Sequence, residues 1–233
     1  MYFKDDVKNK TLAVLTLNYF DNIQEKDGTL LLLKLKKSKI YHTGYFRLRL
    51  LFQWFYKKPT QSFEQLKAFA SAYSYPRRVR LISFKHGDYY NIFPMDLIGV
   101  IPGTNKYVFG LRHTNSALLK IIETKKIVVS EVNHQYKDII YSLGSHHKDG
   151  PPPVQQLPFK VMSSENYGFF IPEWVDSYKE LRITKTMNLG SHMLLWAGVD
   201  NEHIIKKSAG HLYHIHYLLY LYHLKNGFAY PVV

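Results

Sequence analysis

The residues with the most chemical potential in this 233-residue chain form a run of hydrogen-bond donors, Arg112, His113, Thr114, Asn115 and Ser116. The run follows an alternating apolar segment, KYVFGLR, and precedes ALLKIIETKK, whose apolar spacing is helical. Donors gathered ahead of a helix start favour an anion, because the first N–H groups of a helix lack intrahelical partners and carry partial positive charge. Arg112 can grip a phosphate through two N–H groups, and Thr114, Asn115 and Ser116 add neutral hydrogen bonds. Capping by Thr114 or Asn115 beside a surface arginine accounts for the same residues without any ligand.

Two further segments can carry chemistry. Asn91, Ile92, Phe93, Pro94, Met95 and Asp96 read as a strand edge interrupted by proline. Its backbone groups can address a planar ligand, and a structural proline bulge is the equally simple account. Gly190, Ser191 and His192 lie at a strand connection, where Gly190 supplies backbone freedom and His192 is either a packed histidine or a functional one. His211, His214, His216 and His223 invite a metal reading, since His214 and His216 would share one face of a strand. No further ligand sits at matching spacing and the zincin pattern is absent, so no metal is expected.

Composition removes several classes. The chain has no cysteine, which excludes disulfides, thiolate metal sites, iron–sulfur clusters and cysteine nucleophiles. The glycine patterns of phosphate-binding loops and dinucleotide folds are absent, as is the G-x-S-x-G elbow. The formal net charge is +13, and from Thr29 to Phe63 there is no Asp or Glu beside eight Lys and Arg. A solvated face, a polyanion-binding face and a rim that steers phosphate-bearing cofactors all fit that asymmetry. No nucleic-acid motif accompanies the charge, so a nucleic-acid partner is not expected. The polar start is unlike a signal peptide, and no apolar run approaches the roughly 18 residues of a membrane span. A soluble, cytoplasmic protein is the expectation.

The elements that position these residues are mostly strands. Residues 11–18 read as a strand or short helix, and 29–44 as a strand. A hairpin across Thr43-Gly44 would pair the latter with YFRLRLLFQWFY, although Leu48 to Tyr56 reads nearly as well as a helix. Ser62 with Gln65 forms a capping-box pattern for a helix that Pro76 stops. Strand-like runs then cover RVRLISFKHG, YYNIFPMDLIGVI, KYVFGLR, IVVSEV, LRITKTMN and HMLLWAGV, with a helix over TNSALLKIIETKK and a proline-rich loop from Leu143 to Leu157.

From Pro76 to about Val199 this order of features resembles the flavin reductase-like family and its FMN-binding split barrel. The carrying blocks are RVRLISFKHGDYYNIFPMDLIGVIPGTNKYVFGLRHTNSALLKIIETKKIVVSEV and PEWVDSYKELRITKTMNLGSHMLLWAGV. The resemblance implies a mainly β fold, a six-stranded Greek-key barrel with short helices. Residues 1–75 would be an added α/β N-terminal extension and residues 76–233 the barrel domain. It also implies a homodimer binding FMN, with NADH or NADPH as co-substrate and a small-molecule redox acceptor. Asn91 to Asp96 would lie along the flavin ring and ribityl chain, Arg112 to Ser116 would hold the phosphate, and Gly190 and Ser191 would approach the ring. His192 would stand near the flavin N1/C2=O edge. Ile92-Phe93-Pro94 depart from the small polar residues usual there. A non-catalytic flavin or haem carrier, or a basic partner-binding module, is the alternative on the same barrel.

Overall fold

The computed structural model describes residues 1–4, 9–25, 28–56, 62–144, 150–207 and 210–227. Asp27, which with Gly28 reads as a turn in the sequence, and Lys57 and Lys58 of the basic stretch lie outside them. The chain forms two compact units, residues 1–77 with 215–232, and residues 78–214.

The first unit begins with an antiparallel sheet of β1 (Tyr2–Lys4), β2 (Thr11–Glu25) and β3 (Gly28–Ile40), in that order. The strand reading of residues 11–18 is the correct one, and β2 runs further, to Glu25. The expected hairpin across Thr43-Gly44 does not form. Instead α1 (Tyr45–Leu51) continues into a π-helical turn at Phe52–Tyr56. The helix wins because the residues that bury recur at helical spacing: Leu48 packs with Phe63, Leu66, Ala70 and Leu218, and Leu51 and Phe52 lie against that cluster. Helix α2 (Phe63–Ala72) starts at the anticipated capping box, with Gln65 N–H donating to Ser62 Oγ at 3.1 Å and Ser62 N–H to Gln65 Oε1 at 2.7 Å. The histidine-flanked segment near the C-terminus is a helix (Tyr217–Lys225), not a strand. Its Leu218 belongs to the cluster around Leu48, so this segment groups with the first unit and not with the barrel residues that precede it in sequence.

His42 sits in this unit between two hydroxyls, with Nε2 3.0 Å from Ser74 Oγ and Nδ1 3.0 Å from Thr43 Oγ1. Burial, and then the neighbouring His216 and His223, lower its pKa from 6.5 to about 4. The unfolded chain therefore takes up this proton first as pH falls, and the folded state loses stability between pH 6.5 and about 4. At roughly 1.4 kcal/mol per unit, the loss approaches ~3 kcal/mol at most. Urea unfolding at pH 7 and pH 4.5 is expected to show the drop, and His42→Gln to flatten it. An unchanged pH slope in the variant would remove His42 as its source.

The second unit is built on one antiparallel sheet. Past the two-residue β4 (Arg77–Arg78) come β5 (Arg80–His86), β6 (Tyr89–Met95), β7 (Ile98–Val100), β8 (Lys106–Arg112) and β9 (Lys126–Glu131). A separate small hairpin, β10 (Val161–Ser163) and β11 (Phe170–Pro172), precedes β12 (Ser177–Asn188), β13 (His192–Ile204) and the two-residue β14 (Tyr213–His214). The seven-stranded order is β6-β5-β9-β12-β13-β8-β7. All six expected strands are present, and the seventh arises because the run from Tyr89 to Ile101 breaks at Asp96-Leu97.

That break closes the barrel. The edge strands β6 and β7 are joined by two residues, which span roughly 10 Å at most, so the sheet must curl until its edges come together at that end. Arg80, on β5, donates from NH1 to the Ile98 carbonyl of β7 at 3.3 Å across the closure. Pro94 lies on the edge strand β6, paired opposite Leu81, where a missing N–H is tolerated. Leu81, Ile82, Phe84, Phe109, Ile127, Leu181 and Leu195 are fully buried in the core. Two short helices complete the unit, α3 (Leu118–Thr124) and α4 (Lys137–Ser142). The expected three-turn helix after Thr114 is thus only two turns. It stops at Lys125, which takes a left-handed φ of 55° before β9 begins.

Candidate functional site

The ladder between β8 and β13 pairs Arg112 directly with His192. Beyond it, His113 N–H donates to the Ser191 carbonyl at 3.4 Å. On the other side of β8, Gly110 N–H donates to the Leu97 carbonyl at 3.4 Å, so the Asp96-Leu97 crossing runs beside the last residues before Arg112. Three segments far apart in sequence therefore meet at one end of the barrel: Asp96, Arg112–His113 and Gly190–His192.

Local bonds fix this corner. Asn188 Oδ1 accepts the Gly190 N–H at 2.9 Å and lies 3.1 Å from His113 Nε2. An amide oxygen only accepts, so His113 Nε2 carries the proton there. Gly190 has φ +78°, a conformation that favours glycine, and Leu189 N–H donates to the His192 carbonyl at 2.9 Å to close the turn. Ser191 Oγ stands 2.8 Å from His192 Nδ1. Burial, and after it the charges of Arg112 and His113, hold the His192 imidazole below its usual pKa, so it is neutral at pH 7. Asp96 Oδ2 is 2.7 Å from His214 Nδ1.

The donor run departs from the sequence expectation in one respect. The N-cap of α3 is Ala117, with no side-chain cap. Asn115 takes up two backbone donors itself, Ala117 N–H through Oδ1 at 2.9 Å and Leu118 N–H through its carbonyl at 3.1 Å. Neither Thr114 nor Asn115 caps the helix, and an anion here would rely on side chains more than on the helix end. Arg112, Thr114 and Ser116 are exposed. The Arg112 side chain makes no hydrogen bond or ion pair among the described residues.

On β6 the side chains of Ile92, Phe93 and Met95 are buried in the core, and Pro94 packs near Gly144. These residues have backbone to offer, because among the described residues β6 pairs only with β5 and the outer half of its N–H and C=O groups faces away from the ladder. Asn91 is buried and donates from Nδ2 to Tyr89 Oη at 3.3 Å, while its Oδ1 has no partner among the described residues. Lys120 of α3 lies 4.6 Å from the Tyr89 ring centroid. Asn188 and the Tyr89–Lys120 pair were not singled out in the sequence, and His214 was singled out only within the histidine group, not as the partner of Asp96. Asn188 had a signal, an Asn two residues before a turn glycine; the others depend on strand pairing across the barrel. His211 contacts Arg78 NH2 through Nδ1 at 2.8 Å, and His216 groups with the first unit.

The donors needed to hold a flavin phosphate are present here: the exposed Arg112 guanidinium, with no hydrogen bond or ion pair among the described residues, the protonated His113 Nε2 and the exposed Thr114 hydroxyl.

No protein-family model matches the chain, and no curated protein matches it. Solved structures do. An NADH:FAD oxidoreductase of Streptomyces globisporus superposes with a TM-score of 0.55 at 11% identity, covering 67% of this chain and 92% of the other. The flavin reductase component of a bacterial two-component tryptophan halogenase gives a TM-score of 0.55 at 11% identity, over 64% and 91% of the two chains. Nitrilotriacetate monooxygenase component B of Mycobacterium thermoresistibile gives 0.54 at 12%, over 64% and 81%. With its curled antiparallel sheet, this chain has the flavin reductase-like split-barrel fold.

Proposed function

We propose that this protein is an FMN-dependent oxidoreductase of flavin reductase type, using NADH or NADPH and a small-molecule acceptor. The observation that carries the reading is the meeting of Asp96, Arg112–His113 and Gly190–His192 at one end of a flavin reductase-like barrel. Arg112, with the hydroxyls of Thr114 and Ser116, holds the phosphate dianion. His113, oriented by Asn188, adds a second polar group there. The outer edge of β6 from Asn91 to Asp96 borders the ring system and orients it. His192, neutral at pH 7, offers a hydrogen bond without a fixed charge, and the Gly190 turn keeps side-chain bulk out of its approach. Bound FMN would supply the redox chemistry, accepting reducing equivalents from the nicotinamide and passing them on. The chain's own part is placement and electrostatics, with no acid–base residue required.

The purified protein, or protein mixed with FMN and desalted, is expected to be yellow with flavin absorption bands. Anaerobic NADH or NADPH is expected to bleach them. Retained colour without bleaching would point to a flavin carrier, and a colourless protein that ignores FMN would end the reading.

A further inference from the structure

In the first unit, α1 and the π-helical turn after it carry an outward apolar ridge. Leu48 is the buried residue of α1 and anchors it to Phe63 and Leu66. At 100° per residue, Phe46 and Leu50 lie on the side opposite Leu48, and Trp54 continues the same i, i+4 line. Phe46 is 75% exposed and Trp54 69%. Large aromatic side chains so exposed in a row are not accounted for by the unit's own packing.

The ridge is flanked by cations. Arg47 and Arg49 fall on either side of the line from Phe46 to Leu50, and both are exposed. Arg49 is held in place: its Nε donates to Tyr45 Oη at 2.8 Å, and its guanidinium lies 4.1 Å from the Phe63 ring centroid. No Asp or Glu occurs anywhere between Thr29 and Phe63, so nothing in the surrounding sequence neutralises these charges. An apolar ridge between arginines matches the layering of a lipid interface, with rings at the acyl boundary and guanidinium groups at the headgroup phosphates. A nucleic-acid strand uses aromatic rings as platforms for successive bases, whereas Phe46 and Trp54 stand eight residues apart along the ridge with the half-buried Leu50 between them.

We propose that this ridge binds the surface of an anionic lipid bilayer, with Phe46 and Trp54 entering the interface and Arg47 and Arg49 meeting lipid phosphates. The contact is peripheral: among the described residues no helix is long and apolar enough to cross a membrane. The proposal does not depend on the flavin reading.

The full chain is to be sedimented with vesicles of phosphatidylcholine alone and of phosphatidylcholine with one third phosphatidylglycerol, at 50 and 300 mM salt. Binding to the anionic vesicles is expected to be at least ten-fold tighter than to neutral ones and to weaken with salt. The double variant F46S/W54S, and separately R47E, are expected to lose ten-fold or more in vesicle affinity. Their thermal unfolding should be unchanged, because these side chains are exposed. Anionic binding that the variants retain in full would overturn the proposal, as would no binding at 50 mM salt. It would also fall if the variants lost affinity for a single-stranded oligonucleotide instead, or converted a solution dimer to monomer without affecting vesicle binding.

Discussion

Alanine at Arg112 is expected to weaken FMN retention at least ten-fold while leaving the fold intact. The guanidinium is the strongest anion-binding group of the corner, able to donate two N–H bonds to one phosphate. A charge-assisted hydrogen bond contributes about 1.5–3 kcal/mol, and ten-fold in affinity corresponds to about 1.4 kcal/mol, so a loss between ten- and a hundred-fold follows. The cost to the protein without ligand is small. Arg112 is exposed and its side chain makes no hydrogen bond or ion pair among the described residues, and such surface changes usually stay within about 0.5 kcal/mol. Removing Thr114 as well should add a smaller loss, about five-fold, since its hydroxyl contributes one neutral bond. The effect of Arg112→Ala on His192 gives an internal control. The arginine lowers the His192 pKa, so its removal should let that pKa rise toward the usual histidine range, visible by NMR titration even without flavin. FMN affinity unchanged in the variant would refute the placement of the phosphate, while a shifted His192 titration would still attest that the corner itself is correctly built.

The barrel was legible in the sequence because its strands are short runs bounded by turn residues, and those signals are local. Lys85 to Asp88 and Leu189 to Ser191 announce their turns, and both turns form with glycine at positive φ. The capping box at Ser62 was equally local and is present bond for bond. What the sequence hid depends on pairing across the barrel. The run from Tyr89 to Ile101 reads as one strand interrupted at Pro94, whereas the strand continues through Pro94 to Met95 and the closure of the sheet places the break at Asp96-Leu97. The segment around Leu48 alternates well enough for a strand; the choice of helix is made by Phe63, Leu66 and Leu218, which lie elsewhere in the chain. At the site, Arg112 and His113 were readable as donors, but their partner across the ladder, His192, and the amide that orients His113, Asn188, follow from strand register. The length of α3 was overestimated because Thr114, Asn115 and Ser116 suit a helix start. In the structure Asn115 spends its side chain and carbonyl on a turn before the helix begins.

The closure of the barrel has its own polar lock, and its loss should be the largest single effect on stability. Glu131, at the end of β9, accepts from Arg80 Nε at 2.8 Å and lies 2.9 Å from Arg78 NH2. Its carboxylate is mostly buried, and the Arg80 side chain is only 10% exposed. Arg80 also donates to the Ile98 carbonyl, so one guanidinium ties β5 to β9 and to β7, the strand that completes the barrel. In Glu131→Ala the Arg80 charge stays behind in that enclosed setting with a single carbonyl partner. Breaking a buried pair from one side costs about 3–5 kcal/mol, mostly as the penalty on the charge left alone. Glu131→Gln keeps a hydrogen-bond acceptor and should lose less, whereas replacing Arg80 and Glu131 together by Met and Leu should recover much of the loss, because the most buried charge goes with its partner and only the more exposed Arg78 loses its carboxylate. Denaturant unfolding of the four proteins separates these terms. If Glu131→Ala unfolds within about 1 kcal/mol of the parent, then closure rests on apolar packing of the strands alone. If it falls by the expected amount but the double variant falls further, the pair contributes net attraction to the closed barrel beyond relief of a buried charge.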